Sequence, residues 1–360
     1  MLASCFARYS HLIKNHNKML ARGVKIARVA GRRAAAAQHF STTSSAAGFI
    51  GLGSMGSAIA GSLGKRTGGD VYVYDASPDA VQKHCDASSF ARGKESIGGV
   101  LDALSESSGS HQFLFSCLPN SKIVDAVKKE VQSHLAKRDA ASPIIWVDCT
   151  SGDPSTTQQI AAEMKQSGVL FVDCPVSGGP AGASAGTLTA MLGSDDEDAV
   201  DAVTPLVESF AKNIVHIGPS GSGHAVKAIN NTLLGAHIAM VSEGLVALKK
   251  LGVCPEDALN AINGSSGRSW VSMQRFPDHV LPQTYDYGFS LELLLKDMNI
   301  GVNLVDDVGS KTRFLDSLKT SIEEHVAHVS ADERGKVDHL EISRIIEEKN
   351  ACPLNPLKSK

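Results

Sequence analysis

The stretch "GFIGLGSMGSAIAGSLGK", residues 48–65, limits the possible folds more than any other part of the chain. It sets Gly51, Gly53 and Gly56 in G-x-G-x-x-G spacing, behind an apolar strand-like run and ahead of a helical one. Glycine-rich turns are common, so the spacing alone says little. The strand before it and the helix after it make it specific. In that setting the first glycine permits a tight turn, the second lets backbone approach a pyrophosphate, and the third lets helix pack closely on strand. Leu52, Ser54 and Met55 complete a loop that leads into a helix N-terminus, where negative charge is welcome. Asp75 ends the next strand-like run, 22 residues after Gly53. A carboxylate there accepts hydrogen bonds from both hydroxyls of an adenosine ribose and repels a 2′-phosphate, which favours NAD over NADP.

Further β-rich runs follow: "DVYVYD" at 70–75, "QFLFSC" at 112–117, "IIWVDC" at 144–149, "VLFVDC" at 169–174, then "GTLTAMLG" and "NIVHIG". Helical candidates between them include Ser54–Lys65, Ser121–Leu135 and Pro154–Gln166. Strands alternating with helices predict βαβ units and an α/β fold with a Rossmann-type, doubly wound, mostly parallel sheet. From Gly221 the strand-like runs stop and helical patterns continue to about Lys349, with one long helix over 224–251. The expected organisation is a leader over 1–45, a dinucleotide-binding domain over 46–218, an all-helical region over 219–349 and a frayed tail over 350–360. No stretch approaches the ~20 unbroken apolar residues of a spanning helix. The longest candidate, Leu233 to Val253, carries Glu243, Lys249 and Lys250.

Charge is unevenly placed. Residues 1–45 hold eight Lys or Arg and no acid, and the first carboxylate is Asp70. An Arg- and Ser-bearing, acid-free leader has the pattern of an organellar transit peptide. A basic arm for nucleic acid or a membrane surface is the other reading. Removing the leader takes the net charge from −3 (35 − 38) to −11 (27 − 38), which argues against a nucleic-acid partner. The seven cysteines show no CxxC pair and no Cys/His ligand spacing, so neither a disulfide framework nor a metal site is expected.

In an open parallel sheet, ligands bind beyond the carboxyl ends of the strands. Three such ends stand out: "CLPNS" at 117–121, "DCTSGDP" at 148–154 and "DCPVSGGPAGASAGTLT" at 173–189. Cys117, Cys149 and Cys174 read as small buried fillers, since no base is evident beside them. Ser177, Gly178 and Gly179 form either a nest of N–H groups with a hydroxyl, suited to a small carboxylate, or a plain tight turn. Lys227 and Asn231 lie at i and i+4 on one helix face, among small apolar neighbours where an unpaired ammonium is costly. Near a dinucleotide, such an ammonium is able to move a proton to or from a substrate oxygen.

Four segments, "GFIGLGSMGSAIAGSL", "DCPVSGGPAGASAGTLTAMLG", "GSGHAVKAINN" and "GFSLELLLKDMNI", occur in the order and approximate spacing of the β-hydroxyacid dehydrogenase family, which the chain resembles over about residues 48–347. The resemblance implies a Rossmann domain joined by a long helix to an all-α domain, in a homodimer or homotetramer. It implies Lys227 as catalytic lysine, Asn231 as its substrate-binding partner, and Ser177, Gly178 and Gly179 as holders of the substrate carboxylate. Leu118, Pro119, Ile123, Thr150 and Ser151 would contact the nicotinamide half of NAD, while Lys296 would reach the cofactor across the crevice with Asp297 in support. Within the family, "SSGRSW" at 265–270 and the acid at Asp75 are most similar to the mitochondrial members that oxidise 3-hydroxyisobutyrate in valine breakdown. That similarity implies the mitochondrial matrix. Tartronate, glyoxylate and succinic semialdehyde reductases are the rival members, and a non-catalytic dinucleotide-binding scaffold is the rival of another class. Two departures from the family pattern are visible. The loop reads Asp148, Cys149, Thr150, Ser151, which leaves the register of the nicotinamide contact open by one residue, and "LPNSKI" carries Asn120 and Lys122.

Overall fold

The computed structural model describes residues 46–107, 111–137, 143–310 and 314–355; the predicted leader, residues 1–45, lies outside them. Strands and helices alternate from the first described residues: β1 (Ala47–Ile50), α1 (Ser54–Thr67), β2 (Val71–Tyr74), α2 (Pro78–Ala87), β3 (Ala91–Gly93), α3 (Ile97–Ser105), β4 (Gln112–Ser116), α4 (Ser121–Leu135), β5 (Ile144–Asp148), α5 (Pro154–Gln166) and β6 (Val169–Asp173). These six strands lie parallel in the order β3-β2-β1-β4-β5-β6. Every residue of β4 and β5 is buried, because helices cover both faces of the sheet. Successive side chains point to opposite faces. Phe49, Phe115 and Val147 therefore enter one apolar cluster, and Ile50, Leu114 and Trp146 the other.

The sheet then changes direction. β7 (Val176–Ser177), α6 (Gly179–Ala185), β8 (Leu188–Gly193), α7 (Glu197–Val207) and β9 (Ala211–Gly218) follow. β8 pairs antiparallel with β6 and β7 and parallel with β9. The order reverses at β1, between β2 and β4, which opens a crevice beyond the carboxyl ends of β1 and β4.

Among the described residues after Gly218 there is no further named strand. The chain continues as α8 (Ser222–Lys250), α9 (Pro255–Asn263), a ten-residue π-helix (Val271–Val280), α10 (Leu291–Asp307), α11 (Phe314–His325), α12 (Ala331–Arg334) and α13 (Glu341–Lys349). At 1.5 Å per residue, α8 is about 43 Å long. By length and hydropathy alone α8 meets the requirement for crossing a membrane, a test that the core helix of a folded domain also passes. Its buried face instead packs on β8, α10 and α13, and it carries the polar side chains His224, Lys227, Asn231 and Thr232 inward.

The expected fraying at the C-terminus is corrected for residues 350–355. Leu354 is fully buried, its amide donates to Glu347 Oε2 (2.6 Å), and Lys249 Nζ donates to the carbonyls of Pro353 (2.6 Å) and Asn355 (2.7 Å). An apolar side chain at 354 gains more from burial against the helices than the short segment loses in ordering.

Candidate active site

The phosphate loop runs from Gly51 to the start of α1 at Ser54. Gly51 has φ +95°, and a Cβ there would overlap the Cys117 carbonyl oxygen; one at Gly56 would overlap the Gly51 carbonyl. At Gly53 a Cβ would meet nothing within 4 Å. Two of the glycines therefore close the turn on itself, and the middle one leaves an open cradle at the head of α1. That is the space a pyrophosphate needs. Asp75 is held at the rim of the crevice: Leu52 N–H donates to Oδ2 (2.6 Å) and Ser77 N–H to Oδ1 (2.8 Å). Leu52 thus serves through its amide, and its side chain is buried in the core.

Across the crevice, the ends of β4 and β5 are tied by a chain of hydrogen bonds from a buried carboxylate. Asp148 Oδ1 accepts from Ser116 Oγ (2.7 Å), from Thr150 N–H (3.2 Å) and from Thr150 Oγ1 (2.6 Å). Leu118 N–H in turn donates to Thr150 Oγ1 (3.0 Å). Thr150 is fully buried and its hydroxyl is committed to this network, whereas Ser151 is only part-buried beside it. Asn120 caps α4 by accepting from Ile123 N–H (3.2 Å), and Lys122 is exposed on that helix. Both departures in "LPNSKI" thus have local structural explanations.

Lys227 faces this crevice from α8 and is 8% exposed. Among the described residues its ammonium has no hydrogen-bond or ion-pair partner. Burial pulls its pKa down to about 8; the Asp297 carboxylate opposes that shift and the Lys296 ammonium adds to it. One turn on, Asn231 Nδ2 donates to Asp297 Oδ2 (2.6 Å) and Asn231 Oδ1 accepts from Asn230 Nδ2 (3.0 Å). Lys296 pairs with Asp297 Oδ1 (2.9 Å) and also donates to the Ser151 carbonyl. One buried carboxylate on α10 thereby orients both the asparagine of α8 and the lysine that bridges to the β5 loop. Ser177 ends β7, and Gly178 (φ +136°) and Gly179 (φ +70°) turn the chain into α6.

The crevice has a volume of about 1680 Å³. All the sequence-predicted residues line it except Leu52. Cys149 and Cys174 are buried, and burial pushes the Cys117 thiol up to about 12, which leaves Cys117 protonated and a poor nucleophile.

Sequence reasoning missed a layer beneath the site. Asp148 and Asp173 lie in register at the ends of β5 and β6. Asp173 accepts the first free amides of α8, from Gly221 (2.7 Å) and His224 (3.0 Å), and burial raises its pKa. His224 Nδ1 is 2.7 Å from Thr157 Oγ1, and its Nε2 lies 4.0 Å from Asp148 Oδ2. This layer locks the start of α8, one turn before Lys227, onto the sheet. The repeated "DC" at the two strand ends is the only sequence signal that points to it.

Comparison with known proteins adds the family. Residues 46–218 match the family described as the NAD binding domain of 6-phosphogluconate dehydrogenase. Residues 221–346 match that described as NAD-binding of NADP-dependent 3-hydroxyisobutyrate dehydrogenase. The chain is 35% identical over 255 residues to 2-(hydroxymethyl)glutarate dehydrogenase of Eubacterium barkeri, covering 71% of this chain and 80% of that one. It is 30% identical over 277 residues to mitochondrial 3-hydroxyisobutyrate dehydrogenase of Homo sapiens, covering 75% and 79%. The solved structure of Mycobacterium tuberculosis 3-hydroxyisobutyrate dehydrogenase with L-serine aligns at a TM-score of 0.71 and 25% identity, over 85% of this chain and 99% of that one. The chain belongs to the β-hydroxyacid dehydrogenase family and is an oxidoreductase that uses a nicotinamide dinucleotide.

Proposed function

We propose that this protein oxidises the primary alcohol of a short 3-hydroxy acid, with 3-hydroxyisobutyrate as the reference substrate and methylmalonate semialdehyde as its product. In this reading residues 46–218 hold the dinucleotide and 219–349 complete the substrate side. The single observation that carries it is Lys227, a buried ammonium without a partner that faces the dinucleotide crevice one turn before a fixed asparagine.

A nicotinamide dinucleotide held by the Gly51–Gly56 loop and Asp75 would supply the hydride acceptor. Lys227 in its neutral form takes the hydroxyl proton, and a pKa near 8 keeps a useful fraction neutral at physiological pH. Asn231, with Oδ1 and one amide hydrogen already engaged, has one N–H left to align the substrate oxygen. The Ser177 hydroxyl and the amides of Gly178 and Gly179 receive the carboxylate. Asp75, presented by two backbone amides, receives the ribose hydroxyls and selects NAD over NADP. Lys296 contributes charge at the cofactor and is balanced by Asp297.

The Eubacterium barkeri relative bears the name of a substrate with the same 3-hydroxypropanoate core and a carboxyethyl arm in place of the methyl group. The proposed chemistry is the same for both. A place in valine breakdown in the mitochondrial matrix is supported by the acid-free leader and by the mitochondrial names of several relatives. Val226, Leu233 and Met240, exposed at seven-residue intervals along α8, support a homodimer or homotetramer.

The test is NADH formation by the full chain with 3-hydroxyisobutyrate, glycerate, 4-hydroxybutyrate and 6-phosphogluconate, each with NAD and NADP. Preference for 3-hydroxyisobutyrate with NAD supports the proposal. Turnover only of another acid moves the substrate, and NAD binding without any turnover restores the scaffold reading.

A further inference from the structure

One charged side chain on the crevice wall has no task in the mechanism above. Arg275 lines the crevice from the π-helix Val271–Val280, which contains Pro277. π-Turns are rare and occur often at functional sites. The guanidinium carbon lies 3.2 Å from the centre of the Tyr287 ring, and Nε is buried without a hydrogen-bond partner among the described residues. No carboxylate among those residues is within ion-pair distance of Arg275. The nearby acids are already engaged. Asp286 binds His279 (2.8 Å) and Thr284 (2.6 Å), and Asp338 binds His339 (2.8 Å) and the amides of Gly288 (2.7 Å) and Phe289 (3.1 Å). Asp278 also faces this region and draws on the guanidinium from a distance.

Tyr287 connects Arg275 to the substrate end of the crevice. Its hydroxyl donates to the Gly178 carbonyl (3.4 Å), and a Cβ on Gly179 would come within 2.5 Å of the Tyr287 hydroxyl oxygen. A single tyrosine ring therefore separates the guanidinium from the turn Ser177–Gly179. That ring is clamped edge-on by His279 and His339. The loop carrying it starts with Gln283 and Tyr285 at positive φ (63° and 48°), both held by buried Glu347 through bonds of 2.9 and 2.8 Å. Backbone strain held by a buried acid positions the ring before any ligand arrives.

We propose that Arg275 is a specificity-determining residue that receives a second carboxylate, carried on the C2 substituent of the 3-hydroxy acid, so that the preferred substrate class is dicarboxylic. This rests on the dehydrogenase reading above and narrows its substrate. With the first carboxylate at Ser177–Gly179, a short acid arm reaches the guanidinium, whose planar fork matches it. A methyl group in the same place leaves a part-buried cation unpaired. A site built to bind a polar substrate group rejects the analogue lacking it more strongly than an apolar pocket rejects a size change.

The experiment compares the full chain with its Arg275→Met and Arg275→Lys variants, using NAD with 3-hydroxyisobutyrate and with its analogue bearing a carboxyethyl arm instead of methyl. The readout is the ratio of kcat/KM for the two alcohols, within which any loss of folded enzyme cancels. The ratio of acid-armed to methyl substrate exceeds one in the wild type, falls about 10- to 100-fold in Arg275→Met, mainly through KM, and falls less in Arg275→Lys. Turnover of the methyl substrate with a wild-type ratio below one, or with a ratio unmoved by Arg275→Met, overturns the role of Arg275 and leaves the dehydrogenase reading standing. Absence of turnover with both overturns both.

Discussion

The two walls of the crevice are made by different means. The dinucleotide wall is mostly backbone from one contiguous segment: Gly51 and Gly56 close a turn, Gly53 leaves it open, and two amides hold Asp75. The substrate wall is mostly side chains from distant segments. Asn231 meets Asp297 across 66 residues, and Lys296 meets Ser151 across 145. A backbone site tolerates side-chain change wherever space is open and fails where a Cβ meets a carbonyl. A side-chain site fails in its chemistry while its fold survives.

Replacing Lys227 should sharpen that contrast most. Lys227→Ala is expected to lower turnover by about 10²–10⁴-fold. Affinity for NAD, measured by titration, should stay nearly intact, because the cradle lies on the other wall. Comparable turnover in the variant would refute the assigned role.

Within the phosphate loop, Gly51→Val and Gly53→Ala should differ. The first puts a branched side chain at φ +95° against the Cys117 carbonyl and is expected to cost about 3 kcal/mol or more in denaturant unfolding. The second meets open space and should stay within about 0.5 kcal/mol. Equal losses would break the division into a closed and an open glycine.

The burial of Lys227 has an energetic consequence for the substrate wall. Its pKa is about 8 in the folded chain against an ordinary value of 10.5, so the unfolded chain holds the proton more tightly. Below about pH 8 both states are protonated and the destabilising cost is constant. Between about pH 8 and 10.5 only the unfolded state keeps the proton, and stability rises with pH. Lys227→Met is therefore expected to stabilise the fold by up to about 3 kcal/mol at pH 7, the gain fading toward pH 10.5. In the same enzyme, kcat/KM for alcohol oxidation should rise through about pH 8 as the neutral amine forms.

At the rim the effect should fall on cofactor choice. Asp75→Ala is expected to narrow the NAD-to-NADP ratio of kcat/KM by about tenfold, since it removes charge-assisted bonds worth roughly 1.5–3 kcal/mol at a solvated edge. An unchanged ratio would remove the ribose role from Asp75.

Much of this was legible before the structure. The βαβ alternation shows because a sheet buried on both faces demands short continuous apolar runs, as in "IIWVD", and the glycine spacing shows because a loop built from neighbours leaves its pattern in neighbours. The lysine shows through its conflict with small apolar neighbours. Arg275 and Tyr287 were not found: a lone arginine twelve residues before a tyrosine has no period, and only the π-helix and the strained loop after it bring the two into contact. Asp173 stands at a strand end in the sequence, but its use as an anchor for α8 depends on Gly221, 48 residues away.

By itself, then, the sequence determined the alternating sheet, the phosphate loop, the acid after the second strand and the pair of residues one turn apart on α8, since each depends on spacings along the chain. Tertiary structure alone decided that Asp297 orients Asn231 and Lys296 together, that Thr150 is spent on Asp148, and that residues 350–355 dock against α8 and α13. Those outcomes depend on burial. An ion or hydroxyl that would be solvated on an isolated element must find its partner when water is excluded, and that partner is chosen by packing across the fold.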